Sequence, residues 1–463
     1  MTAKPIELLV QGATVITMDR ERRIFLDGAL AVDAGRIVGV GPRGEVAEQF
    51  SARRTIDGRD LIVTPGFING HVHITGDPLT RGFMPDTIDY RDSEAFLHWV
   101  LPRYLSHTAQ DEHVSAKLAA LEMLRCGITC FLEAGTIRHI DEAAAGLTEL
   151  GIRARIGLWT EGRGAGDDVG SVQASDAAIA AMEAAVTAYP PDENARIAVW
   201  PLLVGHNTNS DAVWQAAKAI ADARNLGVSA HMSPYLSDTE WYLENTGCRP
   251  IEHLARLGVL GDNVTLTHLA HLADVEAELL IQSGVNVVYC PLAALKGAFG
   301  VARSGRYPEL AAAGINLLLG TDGYDCDIMR LMPMASGTFK DAREDLSVFP
   351  AHQMLEMITI NGARALGLAD EIGSIEPGKR ADFVCHDANR PELRPLLNPV
   401  NQLVWSADGR GVRSVWVDGE CLIDNYRSTR IDEDALFREA QAAGDALVAR
   451  TGLHLQSPWP IIR

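Results

Sequence analysis

The chain is short of positive charge. Its 463 residues carry 41 Lys and Arg against 61 Asp and Glu, a net charge of −20. No run of Lys or Arg interrupts that balance, which excludes nucleic acid and anionic membranes as partners for the surface as a whole. Cysteine is scarce and odd in number: seven, with no C-x-x-C pair. That excludes a disulfide scaffold and leaves buried free thiols in a reducing cytoplasm as the expectation. No apolar stretch approaches the roughly 20 residues of a membrane span, and the segment from Met1 to Glu7 has no apolar core of a secretory signal. A soluble, cytoplasmic protein is expected. No G-x-G-x-x-G follows an apolar run, which argues against a dinucleotide-binding sheet.

What is present is an ordinary globular composition, 47% hydrophobic and 22% charged, on a chain long enough for a large barrel and a smaller domain. The ends read as β. Short apolar runs between Glu7 and Val40 are separated by Asp27-Gly28 and Ala34-Gly35, and similar runs return at 382–385, 412–417 and 421–423. Neither end has enough strands for a domain of its own, so one small β-sandwich assembled from both termini is expected, from residues 1–62 and 373–463, the latter with a C-terminal helix or tail. Between them, 63–372 alternates strand and helix. Apolar runs at 197–204, 227–231, 263–269, 286–290 and 316–322 are separated by helical stretches, the clearest from Asp211 to about Arg224 with Ser210 as its cap. Strand-helix alternation at this spacing fills the region with about eight units, which is an α/β fold of the (β/α)8 TIM-barrel type.

Chemistry in such a barrel sits at the C-terminal ends of its strands. The first strand, read from Leu61 through Pro65-Gly66-Phe67-Ile68-Asn69-Gly70, ends in His71-Val72-His73. Histidines two apart on a strand share a face, so two imidazoles can reach one metal. Later strands end in His231, in His268 and in Asp322. Each alone is a plain core residue. Together, three histidine-bearing strand ends and an acid describe a metal site with open positions.

With these residues in view the chain resembles the amidohydrolase superfamily over nearly its whole length. The resemblance rests on the 65–73 motif, on Cys290-Pro291-Leu292 leading to Gly320-Thr321-Asp322-Gly323, and on the tail 359–367 with 373–382. It is nearest the triazine hydrolase and cytosine deaminase branch. The resemblance implies one divalent metal, Zn, Fe, Mn or Co, held by His71, His73, His231 and Asp322, and a homodimer or larger homo-oligomer. Binuclear relatives use a bridging Lys, and no Lys lies between Leu118 and Lys218. Asp322 is expected to take the proton of the attacking water and His268 to hold the substrate oxygen.

One departure shapes the expected substrate. Relatives of this branch carry a Glu three residues after the fifth-strand histidine, and here that position is Pro234. Proline shuttles no proton. The expectation is therefore hydrolysis of an acyclic amide, urea, carbamate or thiocarbamate, as in molinate or phenylurea hydrolases, with a deaminase or dechlorinase of a triazine, cytosine or guanine ring as the alternative. His206 or Asn209, in the loop after the fourth strand, is expected to reach metal or substrate and to compensate in part for the missing Glu, unless Asn207 or Asn209 caps the next helix. Phe83, Tyr90, Phe96, Trp99 and Trp241 are expected to line an apolar pocket for a small neutral molecule.

Overall fold

A computed structural model describes residues 3–89, 95–162, 172–192 and 195–462. Tyr90 lies outside them. The N-terminal strands β1 (Lys4–Ile16), β2 (Ile24–Asp33), β3 (Arg36–Pro42), β4 (Phe50–Asp57) and β5 (Leu61–Pro65) open the chain. The barrel follows with β6 (Phe67–Val72), β7 (Ile128–Glu133), β8 (Arg153–Ile156), β9 (Ile197–Val199), β10 (Leu202–Gly205), β11 (Val228–Met232), β12 (Val264–His268), β13 (Asn286–Tyr289) and β14 (Leu317–Leu319). The chain returns through β15 (Phe383–Asp387), β16 (Val412–Val417), β17 (Glu420–Asp424) and β18 (Arg427–Ser428).

The two termini do make one sheet. Its hydrogen-bonded path runs β18-β17-β16-β15-β5-β1-β2-β3, with β4 also on β1. β5 joins the halves, parallel to β1 and antiparallel to β15. The side chains of Val10, Val15, Val63, Phe383 and Trp416 pack into one core, with the Phe383 and Trp416 rings stacked 5.4 Å apart. The C-terminal helix Glu433–Thr451 packs instead on the barrel helix Ala109–Arg125.

The run from Leu61 to His73, read above as one strand, is two. β5 belongs to the terminal sheet and β6 to the barrel. The chain changes sheets at Gly66, where a Cβ would lie 2.0 Å from Thr129 Oγ1, so only glycine permits the crossing. The run 197–204 is also split. Pro201 has no N–H for a ladder, and β9 pairs with β8 while β10 pairs with β11. Counting β9 and β10 as one interrupted strand, the barrel has eight. It closes where Val72 bridges Asp322 in parallel and Thr321 N donates to His71 O at 2.9 Å. Every residue of β6, β7, β11 and β12 is buried, as expected for parallel strands covered on both faces.

The helix Asp211–Arg224 starts at Ser210, whose hydroxyl accepts from Val213 N. Ser210, and neither Asn207 nor Asn209, is the cap. All seven cysteines are free thiols. No helix among the described residues is long and apolar enough to cross a membrane.

Candidate metal centre

The strand ends bring His71, His73, His231, His268 and Asp322 together. The donor atoms of His71, His73 and Asp322 lie within 4.8 Å of one another, as do those of His71, His231 and His268. His73 Nε2 stands 3.3 Å from Asp322 Oδ1 and 3.3 Å from His231 Nε2. His268 Nε2 is 3.7 Å from Asp322 Oδ2. The His71 and His231 rings meet edge to face at 4.6 Å.

These residues fit a divalent cation. His71 Nε2 is buried without a hydrogen-bond partner among the described residues, while its Nδ1 lies 3.1 Å from Thr267 Oγ1. His231 Nδ1 donates to Val204 O at 2.7 Å, which leaves its Nε2 lone pair for the cluster. An outer hydrogen bond that fixes the tautomer is what a ligating histidine needs. Burial, with neighbouring imidazoles, holds His231 well below its ordinary pKa, and burial does the same to His71 against the pull of Asp322. Both are therefore neutral donors. Burial alone would raise Asp322, but the hydrogen bond from His73 and the adjacent imidazoles hold it well below the carboxylate range. Cys290 also comes near, its donor atom within 4.8 Å of those of His268 and Asp322, and burial pushes its thiol well up.

The backbone at this rim is strained. His206, Ser233, His268 and Asp322 all have positive φ, with His268 at 80°. Non-glycine residues hold such angles only where the surroundings over-determine them, as at functional sites. Gly205 lets the β10 end approach, since a Cβ there would lie 2.1 Å from His231 O.

Beside the donors lies a cavity of about 160 Å3. Tyr235, Phe299 and Tyr324 give it ring surfaces, and Met84, Phe96 and Val100 line it as well. His206 is part of it. Its ring stacks on His231 at 5.3 Å, and Nδ1 pairs with Asp238 Oδ2 at 2.8 Å. Asn209 is not. Its side-chain oxygen accepts from Gly205 N at 2.8 Å and its amide donates to Thr160 O at 2.9 Å. Both amide atoms are spent on the loop, so Asn209 shapes the turn and does not reach substrate. Phe83, Trp99 and Trp241 also miss the cavity. Phe83 and Trp99 are buried against each other, 6.2 Å between centroids. Trp99 lies in a π-wound turn, Phe96–Val100, whose positions 96 and 100 face the cavity. Trp241 packs edge-on to Tyr242.

Five contributors escaped sequence reading. Tyr104 OH lies 3.1 Å from His73 Nδ1 and donates to Asp77 at 2.5 Å. Asp238 holds His206. Glu133, the last residue of β7, accepts from Gly135 N, Thr136 N and Thr136 Oγ1, and burial pushes its pKa up to about 7. Thr136 Oγ1 in turn lies 3.3 Å from His73 Nδ1. The strand-end rule that exposes His231 applies equally to Glu133. No local signal marks Tyr104, Asp77 or Asp238.

The Amidohydrolase family profile matches residues 62–422. The chain is 32% identical over 453 residues to a 5-methylthioadenosine/S-adenosylhomocysteine deaminase of Desulforudis audaxviator, covering 96% of this chain and 99% of that protein. It is 30% identical to a 5'-deoxyadenosine deaminase of Methanosarcina mazei, with 96% and 99% covered. An adenosine deaminase from Xanthomonas campestris with bound zinc has the same fold at a TM-score of 0.87 and 29% identity, over 96% of this chain and 100% of that one. An atrazine chlorohydrolase from Arthrobacter aurescens complexed with zinc follows at 0.82 and 23%, over 94% and 100%. These are deaminases and a triazine hydrolase. The likeness to molinate and phenylurea hydrolases expected from Pro234 is thereby corrected.

Proposed function

The chain belongs to the amidohydrolase family, and on that footing we propose that it is a metal-dependent aminohydrolase of a 6-aminopurine nucleoside. Water adds its oxygen to the ring carbon, the C–N bond to the exocyclic amino group breaks, and ammonia leaves. The observation that supports this most is likeness to two deaminases of adenine nucleosides over 96% of the chain.

A divalent cation held by His71, His73, His231 and Asp322 would supply the Lewis acidity that brings the pKa of a nearby water toward about 7. The remaining work falls to this chain's side chains. Asp322, kept ionised, accepts the water proton. His268 Nε2, 3.7 Å from Asp322 Oδ2, holds the oxygen on which charge develops. Tyr235, Phe299 and Tyr324 offer faces to a planar ring and exclude water from it. His206 answers the problem posed by Pro234. Asp238 engages its Nδ1, which fixes the ring and leaves Nε2 to pass a proton to a ring or leaving nitrogen.

Pro234 itself lines the cavity and favours a second reading, hydrolysis of an acyclic amide, urea or carbamate. Product mass spectrometry separates the two. Metal-loaded protein is offered 5'-methylthioadenosine, S-adenosylhomocysteine, 5'-deoxyadenosine, an aminotriazine, an N-aryl urea and a thiocarbamate. An intact product with oxygen in place of the amino group, lost on chelation and restored by metal, is the expected result. A substrate split in two establishes the second reading and overturns the first.

A further inference from the structure

Two arginines stand two apart on β8, Arg153 and Arg155, and so on one face of the strand. Both are buried, Arg155 at 6% exposure. Arg153 is fully engaged: it donates to Asp382 at 3.3 Å and to Asp418 at 2.6 Å. Arg155 is not. Among the described residues its one side-chain hydrogen bond goes to the neighbouring Ala154 O at 3.2 Å, and no acid among them pairs with it. Its guanidinium sits 5.9 Å from the Trp200 ring, a contact that consumes none of its N–H donors. A guanidinium withdrawn from water without a counter-charge is costly. Burial accordingly pulls its pKa below the ordinary value. The nearby Arg153 and Arg380 pull the same way, and Cys130 opposes them.

Arg155 lines a cavity of about 550 Å3 at the end of the barrel opposite the histidines, reached past the residues that precede β9, β11 and β12. Arg153, Arg224, Arg364 and Arg380 line it too. Arg364 comes from the short helix Ile360–Ala365, is exposed at the rim, and bonds only Asn316 Oδ1 at 3.1 Å among the described residues. Of the acids around the cavity, Glu371 is already held by Arg380 at 2.8 Å. Arg153 and Arg380 are held by Asp382, Asp418 and Glu371, and Arg224 lies 3.8 Å from Glu183, so among the described residues Arg155 and Arg364 are the guanidiniums of this cavity without an acid partner, on a chain whose net charge is −20.

We propose that this cavity is an anion site, with Arg155 at its base and Arg364 at its mouth, that binds a phosphate group, free or as a monoester. Guanidiniums approach from a strand and from a helix, so donors converge from several directions. That suits a tetrahedral oxyanion better than the single planar fork that a carboxylate needs. The cavity also has room for an organic group beyond the phosphate.

Calorimetric titration of the holoenzyme with inorganic phosphate, and separately with ribose 5-phosphate, which carries no aminopurine for the metal centre, at constant ionic strength tests the site. Saturable binding of one anion per chain is expected. It should weaken about tenfold or more in Arg155→Met and several-fold in Arg364→Gln. Turnover should be unchanged in both. Tighter binding of ribose 5-phosphate points to a monoester, and equal binding to free phosphate. No saturable binding overturns the proposal, as does an affinity equal to wild type in both variants. Should Arg155→Met fail to fold, Arg364→Gln decides alone, since its side chain is exposed.

Discussion

The two ends of the barrel use opposite charges for opposite ends. At the C-terminal rim, burial strips protons from His71, His231 and His268 and gathers them around one ionised carboxylate. The result is a set of lone pairs that fits a cation. At the N-terminal end, Arg153, Arg196 and Arg380 converge on Asp418 at 2.6, 2.8 and 2.9 Å, and Arg153 also reaches Asp382. Those two acids come from the terminal sheet, so this cluster ties the sheet to the barrel. One end is arranged for chemistry, and the other largely for stability. Arg155 is the exception in the second.

Substitutions at each end should therefore fail differently. Asp322→Asn should lower kcat about 10³-fold or more while thermal unfolding stays close to wild type. Survival of turnover would remove Asp322 as the proton acceptor. Asp418→Asn should do the reverse, costing about 3 kcal/mol of stability with kcat preserved in the folded enzyme. That loss should depend on pH. Burial would raise the Asp418 pKa, but the three guanidiniums hold it down at about 2, below its ordinary value of 3.8. The unfolded state then binds more protons than the folded one in this window. The stabilisation is thus complete above about pH 4 and lost as pH falls toward 2. Denaturation curves of wild type and variant should converge there, and a constant gap would break the assignment. The smallest effect belongs to Asp238→Asn, which leaves His206 in place without its anchor. A fall of about 10–100-fold in kcat with KM nearly unchanged is expected, together with a shifted pH profile. A KM effect alone would make the pair a binding device.

The comparison also bears on what could be read in advance. Strand-end residues were legible because parallel barrels bring their C-terminal strand ends to one place whatever the intervening helices do. His71, His73, His231, His268 and Asp322 needed only that rule. The aromatic lining was not legible. Phe83, Trp99 and Trp241 have the right composition and lie in the right loops, but loop side chains turn inward or outward according to local winding, and these three turn into packing. Asn209 was misplaced for a related reason: an asparagine after a strand serves a backbone turn as readily as a ligand. Pro234 reads as a missing acid and lines the cavity, yet the likeness to deaminases outweighs it. Under the proposed function the proton route comes from another element, the loop after β10 with the helix Leu236–Thr246 that carries Asp238.

By itself the sequence determined the alternation of strands and helices, the sheet shared between the termini, and the donor set, because each follows from periodicity or from position along a strand. Only the tertiary structure decided the split at Gly66, the Tyr104 contact with His73, the pairing of Asp238 with His206, and the burial of the Arg155 guanidinium with no acid partner among the described residues. Each of these depends on distances between residues that no local pattern relates. Whether a buried charge finds its partner is settled by packing in three dimensions, and a sequence records only that the charge is there.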